Sequence, residues 1–341
     1  KPSLSMALQQ NRTVNDLIES SGKDKAADLQ IQIKTNTKVV SINPARKTLM
    51  TTSGKLEYDK LILATGAKAI APLLSGDAAH EIVTLNNLPS YKRFRDQLTK
   101  QSHVSIIGSG LIALEIAEDL ATQQIETSLI IRSNHVMRQL LPDTLSSEYE
   151  HKLYSQGIKL IKQVTATELN YHDNSLMLKL SNGDHIKTDI VVAAIGLNPT
   201  VELAEKAGLI THKGIVINEF CQTSNSDIYA LGDCAEFGQQ VLCYLEPIRR
   251  QATALASHIF GDLNQPYQLR QPLVKTKTPT MPMMVSQPIL TEGEWLDLSQ
   301  NDQHKLLFIN KKQVSGFILT GEFIKEAQPI YQTFFNAEKR S

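Results

Sequence analysis

Three strings in this chain place glycines and polar side chains at spacings suited to holding nucleotides. Gly108-Ser109-Gly110-Leu111-Ile112-Ala113 follows the apolar run His103-Val104-Ser105-Ile106-Ile107. In this pattern Gly108 permits a tight turn and Gly110 lets the main chain approach a pyrophosphate. The amides and dipole of the next helix, which carries Ala113 and Glu115, hold the negative charge. The second string is Ile131-Arg132-Ser133-Asn134-His135-Val136-Met137-Arg138, at the end of the next apolar run. A site for NAD puts Asp or Glu here to accept the ribose hydroxyls, whereas a site for NADP puts cations here for the extra phosphate. No acid is present, and Arg132 and Arg138 can clamp a 2′-phosphate, so NADPH is favoured over NADH. In the third string, Ile228-Tyr229-Ala230-Leu231-Gly232-Asp233, an apolar run delivers Gly232, where main chain can come close to a ligand, and the acceptor Asp233.

Positioning these groups takes strands that end at glycine turns and helices that begin there. The run His103 to Ile107, the helical spacing of Leu111, Leu114, Ala117 and Leu120, and the run Thr127 to Ile131 form a strand, glycine turn, helix and strand unit. Tyr58 to Gly66 reads as a buried strand ending in Ala64-Thr65-Gly66, and Asp189 to Gly196 repeats its layout of Asp, apolar run, Ala and Gly. The likeness is that of an internal repeat, as two successive dinucleotide-binding domains would produce; two buried strands of parallel sheets would also look alike. Short strands are expected around Ile31 to Ser41 and helices over Tyr91 to Lys100 and Pro247 to Phe260. The prolines from Pro266 to Pro288 read as a linker. Glu294 to Leu298 and Lys305 to Leu319, with a turn at Asn310-Lys311-Lys312-Gln313, read as antiparallel strands before a short helix ending near Phe335. The fold class is therefore α/β, with two Rossmann-like domains and a small α+β domain at the C-terminal end.

Composition narrows the function classes. The 341 residues include 35 basic and 35 acidic side chains, and this balance argues against a dedicated nucleic-acid binder. No apolar run approaches the length of a membrane span. Cys221, Cys234 and Cys243 form no CxxC pair, and no His spacing suits zinc, so neither a redox dithiol nor a metal site is assigned and a reducing cytoplasmic setting fits. Arg249 and Arg250 read as a solvated helix face or as a docking point for an acidic partner. The opening Lys1-Pro2 has neither Met nor a signal-peptide layout and reads as a trimmed start.

Taken together, Lys1-Pro2-Ser3-Leu4-Ser5, Tyr58 to Gly66, Gly108 to Glu115, Ile228 to Glu236 and Lys275-Thr276-Lys277-Thr278-Pro279 resemble the rubredoxin reductase and flavorubredoxin reductase family, across essentially the whole chain. The resemblance implies an FAD domain with an NAD domain inserted in it and a C-terminal domain. On this chain the boundaries are 1–89 and 199–267 for the two parts of the FAD domain, 90–198 for the NAD(P) domain and 268–341 for the last. It implies a first FAD fingerprint upstream of Lys1, and FAD contacts at Ala64, Thr65, Gly66, Gly196, Gly232, Asp233 (to ribityl hydroxyls) and the helix opened by Pro247. Lys1 and Lys277 match lysines near the flavin ring, where a cation favours the anionic reduced form. The family's chemistry is hydride transfer from NAD(P)H to FAD, then single electrons to a small iron protein such as rubredoxin or flavorubredoxin. A reductase of a [2Fe–2S] ferredoxin shares the fold, as does a non-catalytic nucleotide-binding regulator.

Overall fold

The computed structural model describes residues 4–288 and 292–338. Lys1, singled out above, lies outside them. The chain falls into two units, Lys1–Ile18 with Ala69–Gly196 and Leu273–Ser341, and Glu19–Lys68 with Leu197–Pro272.

In the first unit a five-stranded parallel sheet runs in the order Val83–Thr84, Ile190–Ala193, His103–Ile107, Glu126–Ile131, Lys159–Lys162. Such strands are covered on both faces, hence their nearly unbroken apolar sequence. Val104, Ile106, Leu129 and Ile131 are fully buried. The helix Leu111–Ala121 joins two of these strands, and every residue from Ala113 to Leu120 is buried. A helix enclosed all round is normally apolar all round; this one also buries Glu115, Glu118 and Asp119. The helix Asp143–Ser155 packs Leu145, Tyr149 and Leu153 into the same core. An antiparallel meander, Ala166–His172, Ser175–Leu180 and His185–Thr188, leads back to the Ile190–Ala193 strand.

The first unit also holds an antiparallel sheet in the order Val274–Lys275, Met283–Ser286, Gln313–Thr320, Lys305–Asn310, Glu294–Asp297, followed by the helix Ala327–Glu338. Its turn at Lys311 and Lys312 has φ of 46° and 65°, the pair of left-handed residues that a tight hairpin needs to match strand twist. The proline-rich stretch is therefore only partly a linker: it contributes two strands, one of them paired on both sides. Its prolines fall between strands, where they take no ladder hydrogen bond away.

In the second unit Leu61–Leu63 pairs in parallel with Ile228–Ala230. Nearby, Val39–Asn43, Thr48–Thr51 and Gly54–Glu57 form a meander. The strands expected from Ile31 onward start only at Val39. Ile31 and Ile33 are exposed and have no apolar face to fill. The helix Leu245–Ile259 starts two residues before Pro247, which sits in the first turn where its missing N–H leaves no bond unmade. The two Ala-x-Gly strands thus share one local design in two separate sheets, each ending at a glycine of positive φ, Gly66 and Gly196.

Candidate functional site

The turn after His103–Ile107 is built by two glycines for different reasons. Gly108 has a φ of +142°, and a Cβ there would sit 2.4 Å from the Ala194 carbonyl oxygen, so only glycine lets the neighbouring strand end pass. Gly110 is the N-cap of Leu111–Ala121 without a side-chain cap, and a Cβ on it would meet nothing within 4 Å. The first turn of this helix thus has no side-chain cap, and its N–H groups with the positive end of the dipole behind them suit a pyrophosphate. Ala113, fully buried, packs against Gly108.

The segment from Ile131 to Arg138 is fastened to that turn. Met137, at φ 50°, donates its N–H to the Ser109 carbonyl at 2.7 Å. Val136 donates to Glu150 Oε1 at 3.0 Å, while Lys162 Nζ lies 2.8 Å from Glu150 Oε2. Val136 and Met137 are buried, and Arg132 and Arg138 are exposed on either side of them. The sequence signalled the two arginines but not Glu150, because an acid in a helix is ordinarily a solvated residue.

Glu115 turns inward rather than toward the open helix end. It accepts from Ser5 Oγ at 2.5 Å and from the Lys277 N–H at 3.0 Å, and the Lys277 ammonium lies 3.9 Å away. Lys277 is half-buried between Thr276 and Thr278, whose hydroxyls meet at 2.8 Å inside the core. Two further acids of the same helix are invisible to motif reading. Glu118 accepts from the Thr280 N–H at 2.7 Å and from the Tyr149 hydroxyl. Asp119 accepts from the N–H groups of Leu8 and Gln9 at 3.1 and 2.8 Å. Burial pushes both carboxyls above the ordinary range against the pull of these donors. The available signal was the number of acids in a helix whose apolar residues wrap its whole circumference.

In the second unit the paired strands end side by side. Ala64 and Thr65 are exposed, Thr65 Oγ1 donates to the Thr200 carbonyl at 2.7 Å, and the Gly66 carbonyl accepts from the Thr200 N–H at 2.9 Å. Gly232, at φ +81°, donates its N–H to Gln251 Oε1 at 2.8 Å, which ties the strand end to the helix that contains Pro247. Asp233 follows, half-buried. Arg250 binds Glu246 at 2.6 Å and the Gln268 carbonyl at 2.7 Å and lies over the Tyr267 ring, so it straps the following loop; Arg249 is exposed. Gly196 belongs to the first unit, where its carbonyl accepts from the Ile70 N–H at 3.0 Å.

The three cysteines differ in burial. Cys221 and Cys234 are buried, and burial pushes the Cys221 thiol up to about 12. A thiol reagent applied near the ordinary thiol pKa of about 8.5 should therefore label Cys243 first and spare Cys221 until the chain unfolds. Peptide mapping of the labelled protein checks this, and equal labelling of Cys221 would contradict the burial. Among the described residues no group of three or more His, Cys, Asp or Glu is placed to hold a metal ion, and no helix is long and apolar enough to cross a membrane.

The model of the pyridine nucleotide-disulphide oxidoreductase family matches residues 1–257, and that of the rubredoxin binding C-terminal domain matches residues 268–334. A rubredoxin-NAD(+) reductase of Alcanivorax borkumensis is 34% identical over 96% of this chain and 86% of its own length. A nitric oxide reductase FlRd-NAD(+) reductase of Shigella dysenteriae is 32% identical over 98% of this chain and 88% of its own. Among solved structures, an engineered water-forming NADPH oxidase bound to NADPH has a TM-score of 0.84 at 19% identity, covering 97% of this chain and 81% of that one. Two parallel-sheet glycine turns, a rubredoxin-binding segment and near full-length relatives agree, and the chain belongs to the pyridine nucleotide-disulphide oxidoreductase family, among the rubredoxin and flavorubredoxin reductases.

Proposed function

We propose that this protein is an FAD-dependent oxidoreductase that takes hydride from NADPH and passes electrons singly to rubredoxin or a flavorubredoxin-like iron protein. The observation that carries the nucleotide assignment is the segment Ile131 to Arg138, held to the glycine turn by the Met137 to Ser109 bond and flanked by two exposed arginines with no acid between them. The open first turn of Leu111–Ala121 takes the pyrophosphate, and Arg132 and Arg138 take the 2′-phosphate. A pattern in the engineered NADPH oxidase supports this. The substitutions named for it are, in chain order, Gly to Ala, Asp to Ala, Ala to Arg, Met to Ser and Pro to Arg. At the same intervals this chain carries Ala113, Ile131, Arg132, Ser133 and Arg138.

For FAD the fit rests on the second unit, where two parallel strands lead to main chain at Gly66 and Gly232, both glycines of positive φ. Ala64, Thr65, Gly66, Gly232 and Asp233 are the groups proposed to hold it, with Gly196 and the helix around Pro247, whose dipole favours negative charge at its start. Lys1 and Lys277 are the cations proposed to face the flavin ring, and Glu115 holds Lys277 in place. Bound flavin supplies the conversion of a two-electron donor into a one-electron donor. The division at 1–89, 90–198, 199–267 and 268–341 belongs to this reading, as does a cytoplasmic setting, which the absence of disulfides among Cys221, Cys234 and Cys243 supports.

Turnover with NADPH and a purified acceptor tests the assignment. Rubredoxin is expected to be reduced faster than a [2Fe–2S] ferredoxin. A faster ferredoxin would move the acceptor to that class, and turnover with neither would leave a non-catalytic nucleotide-binding regulator.

A further inference from the structure

The Lys277 turn hangs from one helix by main-chain bonds that are in register with it. Lys277 and Thr280, three residues apart, donate their N–H groups to Glu115 and Glu118, also three residues apart, at 3.0 and 2.7 Å. Residues at i and i+3 lie on one helix face, so the turn and the helix match over one helical turn. Glu118 is 2% exposed, so it is far from solvent, and it is not part of the nucleotide turn. Its second oxygen is held by the Tyr149 hydroxyl from Asp143–Ser155. An acid that served packing alone would be replaced at no loss by an apolar residue of similar volume. An acceptor aimed at a half-buried N–H is a different matter, because without it that N–H loses the partner that the fold supplies.

We propose that Glu118, braced by Tyr149, is a positioning residue that fixes the Lys277 turn and so sets where the Lys277 ammonium sits. The proposal rests on the reading above that Lys277 faces the flavin. Tyr149 is followed by Glu150, which holds the Val136 N–H of the nucleotide segment at 3.0 Å. This neighbour supplies an internal control: a variant that merely loosened the helices would disturb Val136 as well.

The first test is amide hydrogen exchange on the full chain without flavin, comparing wild type with Glu118→Met, which keeps the volume and loses the acceptor, and Glu118→Gln, which keeps an acceptor. Exchange at Thr280 should rise about tenfold in Glu118→Met, the loss of one hydrogen bond. It should return close to wild type in Glu118→Gln, with Val136 unchanged in both. In flavin-loaded protein the same Met variant should slow flavin reduction by about tenfold at unchanged KM for NADPH, again restored by Gln. Unchanged exchange at Thr280, or equal acceleration at Val136, would overturn the proposal. Should Glu118→Met not fold, Tyr149→Phe takes its place: a rise of about threefold at Thr280 supports the proposal and no change overturns it. Lys277→Ala separates the two readings. If it leaves flavin reduction unchanged, Lys277 does not act on the flavin and the positioning role fails with it in that respect, whereas the exchange data judge the Glu118 bond independently.

Discussion

Replacing Arg132 and Arg138 together with Ala should lower the preference for NADPH over NADH by about a hundredfold. Each arginine is exposed and its segment carries no acidic residue, and a charge-assisted contact to phosphate contributes about 1.5 kcal/mol. Two such contacts give about 3 kcal/mol, which is about two powers of ten in an equilibrium ratio. The effect should fall almost wholly on NADPH, because NADH has no 2′-phosphate to lose. The ratio of kcat/KM values for the two nucleotides checks it, and an unchanged ratio would remove the arginines from the site. The effect should shrink as salt rises, since exposed charges are screened.

The second large effect concerns stability. Gly108→Ala should lower the melting temperature of the first unit and abolish nucleotide binding. A Cβ at Gly108 would approach the Ala194 carbonyl oxygen to 2.4 Å, at a φ of +142° that L residues rarely adopt. Backbone strain and overpacking each cost about 1–3 kcal/mol, and at about 2–4 °C per kcal/mol the drop should be roughly 10 °C. Gly110→Ala should leave stability nearly unaltered, since its Cβ would meet nothing within 4 Å, yet weaken the nucleotide by crowding the pyrophosphate. Thermal unfolding and nucleotide titration of the two variants distinguish the roles; similar melting temperatures for both would contradict this division.

The glycine turn and the strand ends were legible because each rests on a local rule: backbone that glycine adopts and other residues rarely do. What was not legible depends on distant partners. Glu118 and Asp119 look like ordinary solvated helix acids until Thr280, Leu8 and Gln9 arrive from remote segments to donate to them. Met137 in the left-handed region gives no sequence signal, although it fastens the segment Ile131 to Arg138 to Ser109. The prolines near Val274–Lys275 and Met283–Ser286 masked two short strands because their burial comes from pairing with the Gln313–Thr320 strand and its neighbours. Conversely, Ile31 and Ile33 promised strand but found no sheet to cover.

Electron transfer from nucleotide to acceptor is followed by mixing flavin-loaded protein with NADPH in the absence of oxygen and then adding oxidised rubredoxin. NADPH should bleach the flavin faster than NADH does, and two rubredoxins should then be reduced for each NADPH consumed, because nicotinamide gives two electrons and a single iron centre takes one. Flavin that neither nucleotide bleaches, or bleached flavin that rubredoxin does not reoxidise, would contradict the proposed function.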